Sequence, residues 1–180
     1  MDNNRDIVMQ VAGFMALSAR TAPKAKGEDF IVTRVLSGDE ITTLARAMRS
    51  YGEEHGIGFF IRDAGNMAAS AGCLLIGVRG QEAAGVNCQG CGYANCDAMV
   101  ESLKGRSEGT PYTGPNCVLR VTDLGIAAGS AVKTASLHNV DNRIMYSAGA
   151  AARLLGWLGG STIALGIPLS VSGKNIFFDR

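Results

Sequence analysis

Residues 73–78 read Cys-Leu-Leu-Ile-Gly-Val, a run of strand length with no polar side chain. A strand with one wet face alternates apolar and polar residues, so an unbroken apolar run predicts a central strand buried on both faces. Working outward, Phe30-Ile31-Val32-Thr33-Arg34-Val35-Leu36 is β-branched enough for a second strand, and Ile163 to Val171 supplies another near the end of the chain. Helical spacing fills the rest. A first helix starts at Asn3 or Asn4, carries Ile7, Val8, Val11, Phe14 and Met15, and breaks at Ala22-Pro23. Ser37 and Glu40 form a capping-box pattern ahead of Ile41, Leu44, Ala45 and Met48, with glycines 52, 56 and 58 closing that helix. Phe59 to Ile61 reads as a short extended piece and Asp63 to Ser70 as a small-residue helix. Two later helices span Asp123 to His138, with Asp123 as N-cap, and Asn142 to Trp157. Strands at both ends of a run of helices, without regular alternation, predict an α+β sheet flanked by helices.

The chain of 180 residues suits a single α+β domain over 1–180 with a core that needs no disulfide staples. Its net charge of +1, with Lys and Arg scattered, excludes the footprint of a nucleic-acid binder. The polar, acidic start MDNNRDIVMQ is unlike a signal peptide, so the expected compartment is cytoplasmic. Leu154 to Gly173 is uncharged but holds Pro168 and several Gly, which favours a turn and a strand over a membrane span.

Residues 80–117 change character: they hold four of the five cysteines among Gly, Asn and Pro, and read as an inserted segment with one helix near Asn95 to Lys104. Cys88, Cys91 and Cys96 lie in CQGCGYANC, and Cys117 ends GPNC. In a reducing compartment such thiols are metal ligands or redox groups rather than disulfides. CxxC spacing places two sulfurs on one turn, and Gly90 and Gly92 let backbone amides approach, which fits a [4Fe-4S] cluster with Cys117 as the distant fourth ligand. Zinc is the competing metal, although structural zinc sites more often show two CxxC pairs. Cys73, in the apolar strand, reads as an inert core thiol.

The cysteine segment resembles the ferredoxin-type domain of corrinoid iron–sulfur proteins and electron-transport subunits, with Cys88, Cys91, Gly92, Cys96 and Cys117 on its pattern. The whole sequence looks like prokaryotic proteins of unknown function that carry a ferredoxin domain, sharing ARTAPKAKG at 19–27 and the GIPLSVSGKNIFFDR ending at 166–180. Outside the segment, ARTAPKAKG with the following strand and helix, DLGIAAGSAVKTASL at 123–137, and LLGWLGGSTIALGIPLS at 154–170 resemble nitroreductases, flavin-dependent α+β proteins that form intertwined dimers. That resemblance implies a nitroreductase-like sheet with a ferredoxin-type insert, a homodimer, and FMN as a second cofactor of an oxidoreductase. Arg20, Lys24 and Lys26 put three charges on one loop near a helix end, where a phosphate could bind, or where they simply face solvent. The nitroreductase Arg-rich N-terminal phosphate motif has no counterpart, and Lys24 and Gly27 stand at or near the usual Ser and Asn of the Ala-Pro loop. Three readings therefore stand side by side: an iron–sulfur flavoprotein, a flavin-free electron carrier or binding protein with an unidentified redox partner, and a structural zinc protein. Gly125 and Gly129, one helical turn apart, would form the dimer helix face or an ordinary internal contact. His55 and His138 are isolated near predicted helix ends and receive no role.

Overall fold

The computed structural model describes residues 3–105 and 111–178. The chain opens with helix α1 (Asn3–Thr21), makes one 3-10 turn at Ala25–Gly27, and enters strand β1 (Ile31–Leu36). Helices α2 (Asp39–His55) and α3 (Gly58–Ala68) lead to β2 (Gly72–Val78). After the cysteine segment and its helix α4 (Cys96–Glu101) come α5 (Val118–Leu137), β3 (Asp141–Asn142), α6 (Tyr146–Leu154) and β4 (Ile163–Ser170).

The four strands form one antiparallel sheet in the order β1-β2-β4-β3. β2 is central, paired from Ile31↔Val78 to Leu36↔Cys73 on one side and from Gly72↔Leu169 to Val78↔Ile163 on the other. Its alternation sends Leu74, Ile76 and Val78 into a core with Val8, Val11 and Met15 of α1 and Leu124, Ala127 and Ala131 of α5. Cys73 and Leu75 face the opposite core, built with Leu44 and Met48 of α2, Ala64 and Met67 of α3, and Ala148, Ala151 and Ala152 of α6. The result is three layers with the sheet in the middle, which explains why this strand carries no polar residue. Pro168 is tolerated inside β4 because it has no partner on the β3 side, falling between the pairing at Leu169 and Ser170 and the bridge Met145↔Gly166.

The structure corrects several local expectations. Phe59 to Ile61 is helical, part of one helix with Asp63 to Ala68, because Phe60, Ala64 and Met67 repeat at helical spacing and are buried together. The capping box does not form: Gly38, at φ 56°, is the N-cap of α2, and Glu40 pairs with Arg34 at 2.6 Å. α5 begins five residues before Asp123, with Cys117 as N-cap, so Asp123 lies inside the helix, buried. The helix expected over 142–157 is confined to α6, its first residues being used by β3.

Candidate functional site

Between β2 and α5 the chain leaves the three layers and closes on a small apolar cluster of its own. Ala84, Met99 and Cys117 are buried there, with Cys91 and Tyr93 packed against them. The cysteine loop has alternating handedness: Asn87 (φ 50°), Gln89 (φ 60°) and Gly92 (φ 84°) are left-handed, whereas Cys88, Gly90 and Cys91 are not. Such alternation turns successive N–H groups toward one side and creates a concavity for negative charge, a geometry found at phosphate and iron–sulfur sites. Left-handed backbone at Asn and Gln is disfavoured unless the surroundings impose it. Here the turn is closed by Gly92 N–H donating to Gln89 O at 2.9 Å and Gln89 Nε2 to Ala94 O at 3.3 Å.

Cys96 starts α4, where the Asn95 side chain caps Ala98 N–H, and its own N–H donates to Asn87 Oδ1 at 2.9 Å. This bond draws Cys96 back beside the residue that precedes Cys88. A methyl group on Gly90 would lie 2.6 Å from Val118 Cγ1 and 3.6 Å from Cys88 Sγ, so Cys88 sits beside the residue following Cys117. Cys91 and Cys117 thus share one apolar cluster, while Cys88 is exposed on the loop and Cys96 is half-buried at the start of α4. Among the described residues, no three Cys, His, Asp or Glu side chains converge as ligands of a single ion. Cys73 stays apart in the core beyond the sheet, its thiol pushed up to about 12 by burial.

The two ends of the segment meet. Cys117 N–H donates to Gly80 O at 2.6 Å, and Gly80 N–H donates to Thr162 Oγ1 at 2.9 Å. Thr162 in turn donates to the Asn116 carboxamide, whose Nδ2 reaches Thr113 O at 2.7 Å. A side chain at position 80 would overlap that carboxamide, so glycine is required there. Arg120, fully buried, lies one turn after Cys117 and reaches both the segment and the 25–28 loop. Asn116, Arg120 and Thr162 were not singled out from the sequence; an arginine in the apolar VLRV start of a helix was the available signal.

The basic loop is occupied with its own neighbours. Arg20 donates to Asp29 at 2.5 Å and to Ile31 O at 2.9 Å. Lys24, with its side chain 5% exposed, donates from Nζ to the carbonyls of Arg20 (2.6 Å), Ala22 (2.8 Å) and Ala19 (3.1 Å). Lys26 is half-exposed, 3.9 Å from Glu28. Burial by itself would raise the Asp29 carboxyl, but the Arg20 hydrogen bond, the Ile31 N–H and the charges of Arg20 and Lys24 outweigh it and hold the group below its ordinary value. His55 stacks on Tyr51 at 4.1 Å and His138 on Phe14 at 5.8 Å. Gly125 and Gly129 face open space beside exposed Ile126, and exposed Phe14 and Leu17 stand on α1 in the same layer.

No helix among the described residues is long and apolar enough to cross a membrane. A family model described as "uncharacterized protein containing a ferredoxin domain (DUF2148)" matches residues 113–180, a stretch that includes Cys117 but not Cys88, Cys91 or Cys96. An uncharacterized protein of Archaeoglobus fulgidus is 44% identical over 179 residues, covering 99% of this chain and 95% of its own. One component of the Na(+)-translocating ferredoxin:NAD(+) oxidoreductase complex of Acetobacterium woodii is 42% identical over 53 residues, 27% of this chain and 16% of that protein. Among solved structures, nitroreductase CinD from Lactococcus lactis in complex with nicotinic acid superimposes with a TM-score of 0.59 at 12% identity, over 99% of this chain and 85% of that one. The NADPH:FMN oxidoreductase from Vibrio harveyi gives 0.55 at 10% identity and covers 92% of this chain, which spans 60% of the neighbour's length. At such identities the likeness establishes a nitroreductase-like fold.

Proposed function

This chain belongs to the family of uncharacterized proteins containing a ferredoxin domain, and on that premise we propose that it is an iron–sulfur redox protein that binds a [4Fe-4S] cluster through Cys88, Cys91, Cys96 and Cys117. The observation that carries this reading is the alternating-handed loop Asn87–Gly92, which bears Cys88 and Cys91 and whose Cys91 packs in one apolar cluster with Cys117. A CxxCxxxxC loop with one distant thiolate at a helix start is the donor set a [4Fe-4S] cluster takes, whereas structural zinc sites more often pair two CxxC knuckles. When bound, the cluster supplies a reversible one-electron couple. The chain's residues would hold it with thiolates from two sides, offer inward N–H groups from the cysteine loop, and exclude water on the Cys117 side. The exposed Cys88 side would face the electron partner.

Anaerobic purification followed by iron, acid-labile sulfide, zinc and flavin analysis tests the reading. About four iron and four sulfide per chain are expected, and stoichiometric zinc without sulfide would overturn it.

The nitroreductase-like fold supports a second reading in which FMN is also bound. The loop does not fit a flavin phosphate as it stands, since Arg20 and Lys24 would have to leave Asp29 and three carbonyls, and the half-exposed Lys26 stands 3.9 Å from Glu28. We therefore favour the flavin-free carrier. Titration of the protein with FMN at tens of micromolar decides it, quenched flavin fluorescence being the result that overturns this preference. The exposed apolar face of α1 and α5 supports a homodimer, and the free thiols support residence in the reducing cytoplasm.

A further inference from the structure

Arg120 is completely buried and charged, an expensive combination unless its donors are used. Its Nε donates to Glu82 O at 3.0 Å and its Nη1 to Ala25 O at 3.1 Å, while Nη2 pairs with the Glu28 carboxylate. Asp123 stands 3.5 Å from Nη1 and accepts the Ala25 N–H at 2.8 Å through its other oxygen. The guanidinium carbon lies 4.3 Å from the centre of the Phe30 ring. Packing alone does not call for this arrangement, because buried ion pairs are commonly replaceable by apolar residues without loss of stability. What an apolar residue cannot do is join three segments at fixed angles, and a planar fork can.

The segments it joins are informative. Glu82 opens the cysteine segment, and Arg120 lies on the first turn of α5, three residues after Cys117. Residues 25–28 form the turn between α1 and β1 and lie nearly a hundred residues away along the chain.

We propose that Arg120 is a positioning residue for the cluster: it sets Cys117 and the opening of the cysteine segment in one frame against the Ala25–Glu28 loop, and its charge balance with Glu28 and Asp123 contributes to the potential at the buried side of the cluster. This rests on the iron–sulfur reading above. Reduction adds a negative charge to the cluster, so removing the charge of Glu28 favours the reduced form and raises the midpoint potential. Glu28 is 44% exposed, and neutralising it opens no cavity.

The test compares wild type, Glu28→Gln, Arg120→Lys and, as control, Glu40→Gln, whose carboxylate pairs with Arg34 elsewhere on the fold. Optical redox titration should show a higher midpoint for Glu28→Gln and none of that shift for Glu40→Gln, with iron and sulfide content equal in both. Arg120→Lys keeps the charge but loses the fork, and it should release iron to a chelator several-fold faster while the helical content stays that of wild type. Unchanged midpoint in Glu28→Gln together with wild-type iron release in Arg120→Lys overturns the proposal. If Arg120→Lys does not fold, the Glu28→Gln midpoint alone decides. Absence of iron and sulfide from wild-type protein would instead overturn the cluster reading itself.

Discussion

Lys24 has its ammonium at the C-terminal end of α1, where three carbonyls and the helix dipole favour a cation. Lys24→Met should therefore cost about 1–2 kcal/mol of stability by denaturant unfolding. The same cluster predicts an acid dependence. Asp29 is held below its ordinary value of 3.8, so its contribution is complete above that value and disappears as pH falls through the folded one. Asp29→Asn should lower stability at pH 7 and flatten the loss expected of wild type below pH 4, as thermal unfolding against pH would show. Charge and spacing made this loop visible in the sequence, but not which carbonyls its lysine reaches; that depends on how the chain turns after Pro23. The cysteines were legible by residue identity and spacing instead, which point to a metal or redox site and leave the choice between cluster and zinc to metal analysis. Cys88→Ser or Cys117→Ser should remove the visible absorption of a cluster, whereas Cys73→Ser, beyond the sheet, should leave it unchanged.

α6 lies so close to β4 that a methyl group on Gly149 would overlap the Ala164 carbonyl, and one on Gly166 would lie 2.5 Å from Ala148 Cβ. Backbone on one side leaves no rotamer to relieve the contact. Gly149→Ala should thus destabilise the protein by about 3 kcal/mol, despite the better helix propensity of alanine, and the unfolding midpoint in urea measures it. Helical spacing placed a helix within 142–157, without revealing that its small residues YSAGAAARL lie against a strand. Elements with one strong period were legible, as in α1, where Val8, Val11, Met15 and Ala19 recur at helical intervals. Phe59-Phe60-Ile61 misled because three bulky apolar residues in a row satisfy either period. Burial decides the matter: Phe60 is inside and Phe59 is 43% exposed, as a helix surface requires. The capping box failed through competition, Arg34 on the neighbouring strand taking the Glu40 carboxylate.

For the molecule as a whole, the exposed face of α1 and α5 offers a sign test for the homodimer. A side chain at Gly129 meets nothing within its own chain, so in a monomer Gly129→Leu gains helix propensity and stabilises by about 0.8–1 kcal/mol. In a dimer packed on that face the same change drives the two copies apart. Sedimentation velocity at micromolar concentration, read alongside the melting temperature, should show dissociation with loss of stability. A stable, more thermostable monomer of native mass would exclude the dimer. The layered architecture was legible because β2 is apolar on both sides; the attachment of the cysteine segment was not, because it depends on Gly80, Asn116 and Thr162, ordinary residues far apart in the chain. That attachment has an engineering consequence. The two ends meet through the Cys117 N–H to Gly80 O hydrogen bond, yet Glu82, Tyr112 and Thr113 inside the segment are bonded to Arg120, Ala164 and Thr162 of the host, so the segment is riveted to the body and not merely hung from it. A shortened chain linking Gly80 to Cys117 through a few glycines should therefore melt well below the full-length protein, because it strips the buried Arg120 of an acceptor.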